Sequence, residues 1–225
     1  RETIAIDLPG FGDSPPLPPQ TVPTIDAYVD AVERFFADAG LERPHVAGNS
    51  MGGGIALELA RRGAVASATA LSPIGFWSRA ELIWGGLSLR VSRFLAHRAG
   101  GALKRAVGTP LGRQLLLGHI VGRPARLDAA AARRDIDALA TAPAWRATLV
   151  QLGRYAFADG DALDGTPVTV GWGTRDRLLI YRTQAERARR ALPRARHVAL
   201  PGCGHVPMSD DPDGVAALLL HASDG

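Results

Sequence analysis

Residues 48–52 read Gly-Asn-Ser-Met-Gly, with an apolar run, HVAG (45–48), leading in and a helix-like stretch, MGGGIALELA (51–60), leading out. Glycine costs a helix about 1 kcal/mol against alanine, so Gly52, Gly53 and Gly54 beside Ser50 need a reason. A dinucleotide fingerprint would need a glycine where Ser50 stands and an acidic residue ending the next strand, SATALSP, which has none. A phosphate-binding loop needs Gly-Lys-Ser/Thr, and Lys104 is the only lysine. What fits is Gly-x-Ser-x-Gly, a strained strand-to-helix turn that lifts the serine hydroxyl above the carboxyl end of a sheet. Small residues at 48 and 52 relieve the crowding of strand against helix, and Gly53 and Gly54 let the helix press on neighbouring strands. The Met51 amide, at the positive end of that helix, would stabilise an oxyanion.

A serine nucleophile needs a base, and the base an orienting acid. Of the six histidines, His205 in LPGCGHVPMSDDP lies in a loop between the last strand and the last helix. His45 and His197 fall within strand patterns, and His97, His119 and His221 on helical stretches that read as solvated. Asp176 in VGWGTRDRLL stands just past a strand's carboxyl end, where side chains that do chemistry gather in open α/β sheets. Its rival role is an ion pair with Arg175 or Arg177. Asp210, Asp211 and Asp213 read as caps of the final helix. The chemistry these residues can do is acyl transfer, with Ser50 attacking a carbonyl, His205 moving the proton and Asp176 holding the imidazole.

The elements that must position them follow a strand–helix rhythm. TIAID (3–7), HVAG (45–48), SATALS (67–72), PVTVGWG (167–173) and RHVAL (196–200) are near-continuous apolar runs of the kind parallel sheets bury. TIDAYVDAVERFFADAG (24–40) has Thr24 as N-cap, an apolar face and a closing Gly40. YRTQAERARRAL and DPDGVAALLLHAS supply the last two helices. The alternation predicts an α/β fold with a mostly parallel, doubly wound sheet. It breaks between 74 and 143, which contain no convincing strand, so residues 1–73 and 144–225 are expected to form the core and 74–143 a helical insertion.

Hydrophobic residues make up 46% and charged residues 21% of the 225, enough for a sizeable core. No apolar run is long enough to cross a bilayer. The net charge of +4 comes from arginines scattered among alanines rather than from a basic block with interleaved aromatics, so no nucleic-acid partner is expected. One cysteine, Cys203, excludes an internal disulfide and a multi-cysteine metal site. It reads as a small buried residue. The absence of a signal peptide and the lone cysteine point to a cytoplasmic protein, although the chain opens without an initiator methionine.

With the motifs in hand, the chain resembles the α/β-hydrolase superfamily from that fold's fourth core strand onward. DLPGFGDS (7–14) resembles its loop after the fourth strand, GNSMGG (48–53) its nucleophile turn, WGTRDRLL (172–179) its acid loop and GCGHVPMSDDP (202–212) its histidine loop. The order Ser50, Asp176, His205 is that family's. The resemblance implies a cofactor-free hydrolase with a cap at 74–143. It also implies that three strands and a His-Gly loop giving a second oxyanion amide precede residue 1, so residues 1–225 alone are expected to be unstable or nearly inactive. Phe11, Asn49, Phe76, Trp77 and Trp84 are expected to line an apolar substrate pocket, the alternative being that the aromatics pack the cap onto the sheet. Arg79, Arg90, Arg93 and Arg98 on the cap read as a solvated face rather than a membrane contact. The wording is similar to esterases and to hydrolases that split carbon–carbon bonds of ring-fission products. A serine at the turn speaks against the dehalogenase and epoxide hydrolase branches, which use aspartate there. A carboxylic ester of a small or medium apolar substrate is the expected substrate; a vinylogous diketone, or a non-catalytic binding role, is the alternative.

Overall fold

The structure, a computed structural model, describes residues 2–163 and 165–224. Four parallel strands, β1 (His45–Asn49), β2 (Ser67–Leu71), β3 (Val168–Gly173) and β4 (Arg196–Leu200), form one sheet in the order β1-β2-β3-β4. Each strand pairs with its successor because the intervening helices carry the chain back over the sheet. Helices α1 (Ile25–Asp38) and α2 (Met51–Arg61) lie on one side. Their Tyr28, Val29, Leu57 and Leu59 join Ala68, Ala70, Val168, Val170 and Trp172 in the main core. Successive strand residues point to opposite faces, so Leu71 and Leu200 face the other way, onto Val215 and Leu218 of the last helix, α9 (Pro212–Ala222). Helices on both faces explain why the strands read as unbroken apolar runs: β2 and β3 are buried at every position.

Between β2 and β3 the described residues form helices joined by turns and loops, and no strand. Helix α3 (Arg79–Ala106) starts on a capping box, Ser78 with Glu81, and is kinked at Ala99, whose φ of −125° and ψ of 20° break the helix just before Gly100-Gly101. Then come α4 (Pro110–Leu117), a 3₁₀ turn (Pro124–Arg126), α5 (Ala129–Thr141) and α6 (Trp145–Leu152). Ala96, Val107, Val121, Leu127, Ala132 and Ile136 form a cluster of their own, separate from the sheet's core. A π-turn (Tyr181–Ala185) and α7 (Glu186–Ala191) precede β4, and α8 (Pro207–Asp210) precedes α9.

The first expected strand does not form. Residues 3–7 are irregular and pair with none of the four described strands, and Ile4 and Ile6 are exposed. An apolar run becomes a strand only where a neighbour takes its N–H and C=O groups, and the described sheet stops at β1.

Candidate active site

Ser50 follows β1 immediately and is the N-cap of α2, with φ 56° and ψ −113°. A non-glycine residue there stores roughly 1–3 kcal/mol of strain, and the surroundings hold it. Ser50 N–H donates to Leu71 O at 2.9 Å, while Ser50 O accepts from Gly54 N–H and Ile74 N–H. The turn is this tight because of Gly48, where an added Cβ would lie 2.1 Å from Gly52 O. Gly53 and Gly54 sit against Pro73 and Ile74, so the helix does press on the segment leaving β2. Gly52 departs from expectation: a Cβ there would meet nothing within 4 Å.

His205 and Asp176 come from loops after β4 and β3, the two strands farthest from β1, and meet with Nδ1 to Oδ2 at 2.9 Å. Both are buried, at 4% exposure each. The other oxygen of Asp176 accepts from the Leu178 and Leu179 amides at 3.0 and 2.9 Å, which fixes the carboxylate plane. The rival ion pair is not what holds Asp176. Arg175 donates to Gly122 O, and Arg177 to Gly118 O.

The turn and the histidine loop are joined by Asn49. Its Nδ2 donates to Leu71 O at 3.0 Å and to His205 O at 2.8 Å. That amide nitrogen, expected in the pocket, is therefore committed to backbone. Ser50 Oγ makes no hydrogen bond among the described residues, so the structure brings His205 to Asp176 and to Asn49 but does not form the Ser50–His205 bond. Such bonds are commonly long without substrate. Met51 N–H, the first amide of α2, lies beyond reach of the helix's own carbonyls.

The expected pocket residues separate. Phe76 is a core residue, 4% exposed, with its ring 5.7 Å from that of Phe157 and 6.4 Å from that of Trp172. Phe11 and Trp77 are partly buried against the same core, and Phe11 lies 6.3 Å from the Tyr28 ring. Trp84 is 47% exposed and donates Nε1–H to Arg177 O, pinning α3 to the acid loop. Two open hollows lie elsewhere. One, of about 300 Å³, is at the amino end of β3 beside Pro167 and Leu192; the other, of about 550 Å³, lies between Arg93 of α3 and Trp145 of α6. Neither touches Ser50, and the first is at the wrong end of a parallel sheet for its chemistry.

Cys203 is buried, and its thiol is pushed up by burial and by the nearby Asp210 and Asp211 carboxylates. Among the described residues no three His, Cys, Asp or Glu side chains converge as metal ligands would. None of the described helices is long and apolar enough to cross a membrane. The residue that sequence reasoning missed is Asp210. It does not cap α9, which Asp211 does through Gly214 N–H; it accepts three backbone amides beside His205.

A parallel sheet with helices on both faces and a serine after β1, an acid after β3 and a histidine after β4 defines an α/β-hydrolase-type scaffold. The comparisons agree: the alpha/beta hydrolase family model matches residues 1–218, and the chain belongs to that family. It is 30% identical over 200 residues to epoxide hydrolase EphH of Mycobacterium tuberculosis, covering 84% of this chain and 90% of that one. Among solved structures it resembles a bacterial membrane phospholipase A, with a TM-score of 0.71 and 30% identity over 97% of this chain and 68% of the other. It also shares its fold with 2-hydroxy-6-oxo-6-phenylhexa-2,4-dienoate hydrolase of a Rhodococcus strain, with a TM-score of 0.69 and 22% identity over 97% and 78% of the two chains.

Proposed function

We propose that the protein is a serine hydrolase cleaving carboxylic esters with small or medium apolar groups through an acyl-enzyme. The observation that carries this reading is the buried His205–Asp176 pair, tied through the His205 carbonyl to the residue next to Ser50. Asp176, fixed by two amides, accepts from Nδ1–H of the imidazole, which leaves Nε2 as the base. Nε2 takes the proton of Ser50 Oγ as the oxygen bonds to the ester carbonyl, and Met51 N–H donates to the oxyanion. When the tetrahedral intermediate collapses, His205 protonates the departing alcohol. Water, deprotonated by the same nitrogen, then releases the acid and regenerates Ser50. Residues 74–143 would serve as a cap, with their separate apolar cluster, over a core of 1–73 and 144–225.

Likeness to a phospholipase A supports an ester substrate. Epoxide opening, the activity named for the mycobacterial relative, fits poorly. A serine attacking an epoxide carbon forms an ether, which water does not cleave, whereas a carboxylate forms a hydrolysable ester. Carbon–carbon cleavage is the second reading, supported by the fold shared with the Rhodococcus dienoate hydrolase and compatible with the same three residues.

The test is hydrolysis of p-nitrophenyl butyrate, a short-chain phosphatidylcholine, styrene oxide and a 2-hydroxy-6-oxo-hexadienoate by the full natural chain and its Ser50→Ala variant. Ester turnover abolished in Ser50→Ala supports the proposal. Faster turnover of the dienoate than of any ester moves the assignment to carbon–carbon cleavage. Ester turnover undiminished by Ser50→Ala removes the mechanism.

A further inference from the structure

We infer that Asp210 is a positioning residue that sets the backbone of the histidine loop by tying it to the segment after α4; the inference rests on the hydrolase reading above. Asp210 ends α8, and its carboxylate accepts three backbone amides from two stretches far apart in the chain. Oδ2 takes Gly204 N–H and Gly122 N–H, each at 2.8 Å, and Oδ1 takes Arg123 N–H at 2.6 Å. Gly204 is the residue before His205. His205 N–H itself donates to Ile120 O at 2.6 Å.

The two stretches therefore lie backbone to backbone, and there is no slack between them. A Cβ on Gly122 would fall 2.3 Å from Gly202 O and 2.6 Å from Gly204 N; one on Gly204 would fall 2.5 Å from both Gly122 N and Ile120 O. Arg175, on the acid loop, adds a bond from its side chain to Gly122 O and one from its N–H to Cys203 O. His205 is thus held at its N–H by Ile120, at its carbonyl by Asn49 and at its ring by Asp176. Among these holds Asp210 alone gathers three donors from both stretches, and bonds to an ionised acceptor are about twice as strong as neutral ones.

A carboxylate is required rather than any polar side chain. Three donors converge on two oxygens, and an acceptor-only group satisfies them all. In Asp210→Asn, whichever way the amide is turned, its NH₂ faces a backbone N–H. Turned one way it opposes Arg123, and turned the other it opposes Gly122 and Gly204 together. Helix capping does not explain the residue, because Asp211 fills that role.

The experiment compares Asp210→Asn with Asp211→Ala, the neighbouring aspartate that acts only as a helix cap. Three readouts are taken on the full natural chain: the rate at which a fluorophosphonate labels Ser50, kcat and KM on p-nitrophenyl butyrate, and the low-field proton resonance of the His205–Asp176 hydrogen bond. A histidine displaced by about 1 Å loses on the order of 100-fold in rate. The expected result is therefore slower labelling and lower kcat by about that factor in Asp210→Asn, with KM unchanged and the low-field proton broadened or lost. Asp211→Ala should melt earlier yet label like the wild type and keep the resonance. Should Asp210→Asn fail to fold, Gly122→Ala, which keeps the carboxylate but crowds the same contact, carries the same expectation. Wild-type labelling and an intact resonance in a folded Asp210→Asn, or in Gly122→Ala, overturn the inference alone. A wild-type protein that does not label overturns the hydrolase reading and this inference with it.

Discussion

Replacing the two glycines of Gly-x-Ser-x-Gly one at a time should give opposite results. At Gly48 an added methyl would lie 2.1 Å from Gly52 O, 2.2 Å from Gly52 C and 2.8 Å from Gly53 N. All three are backbone atoms of the first turn of α2, so no side-chain rotation relieves the contact. Ordinary contact needs about 3.5 Å, so the helix must retreat by more than about 1 Å. That retreat opposes the bond from Ser50 N–H to Leu71 O and the packing of Gly54 against Ile74. Overpacking a well-filled site costs about 1–3 kcal/mol, and rigid neighbours on both sides put Gly48→Ala at the upper end. For a chain of this size each kcal/mol lowers Tm by about 2–4 °C, giving a fall of about 6–12 °C. At Gly52 a methyl meets nothing within 4 Å, and alanine gains up to about 1 kcal/mol as a helix former. Gly52→Ala should therefore melt at or slightly above the wild-type temperature. Thermal unfolding followed by far-ultraviolet circular dichroism, with urea titrations to confirm the free energies, decides the matter. Gly48→Ala melting with the wild type, or Gly52→Ala losing as much as Gly48→Ala, would refute the packing argument.

Asp176→Asn should retain the fold and lose about 10⁴-fold in kcat on p-nitrophenyl butyrate, because an amide at 176 favours the wrong imidazole tautomer; a loss under tenfold would show that Asp176 does not orient His205. Cys203, buried and with its thiol pushed up, should react with a disulfide reagent only on unfolding, and Cys203→Ala should hydrolyse the ester at the wild-type rate; rapid modification of native protein would contradict the burial. Glu81 loses solvation on burial, yet its bonds from Thr183, Ser78 and Arg187 outweigh that and hold its carboxyl below the ordinary value of 4.5. A depressed carboxyl stabilises the fold above that value and ceases to as the pH falls through its folded-state value. Wild type should thus lose more stability than Glu81→Gln between about pH 5 and pH 3, measured by urea titration, and parallel losses would refute the assignment.

How much of this was legible in the sequence depended on how local the signal was. β4 begins and ends where RHVAL does, and α1 follows its Thr24 cap, because capping and apolar periodicity act within a few residues. The turn at Ser50 was legible because only glycine fits at 48. The places of Ser50, Asp176 and His205, just past β1, β3 and β4, were legible from the apolar runs that precede them. The strand expected at 3–7 failed for the opposite reason: ladder bonds come from a neighbour that the run itself does not encode. Phe76 and Asn49 were expected to face substrate. An aromatic does not announce whether it meets a ligand or, as here, Trp172 and Phe157, and an amide does not name the carbonyls it serves. Asp210 was lost among three aspartates before a helix, a pattern that reads as capping. The one cue was that a single N-cap suffices, which leaves its neighbour unassigned.

In the proposed mechanism Ser50 becomes acylated with the help of an imidazole held by Asp176. Mixing the full natural chain with p-nitrophenyl acetate, quenching in acid within milliseconds and digesting for mass spectrometry observes that step directly. The expected result is an acetyl group on the peptide containing Ser50, formed with a burst of p-nitrophenol and absent from Ser50→Ala and His205→Ala. Turnover with no acylated Ser50, or with the acetyl group on Cys203 or another residue, would contradict it.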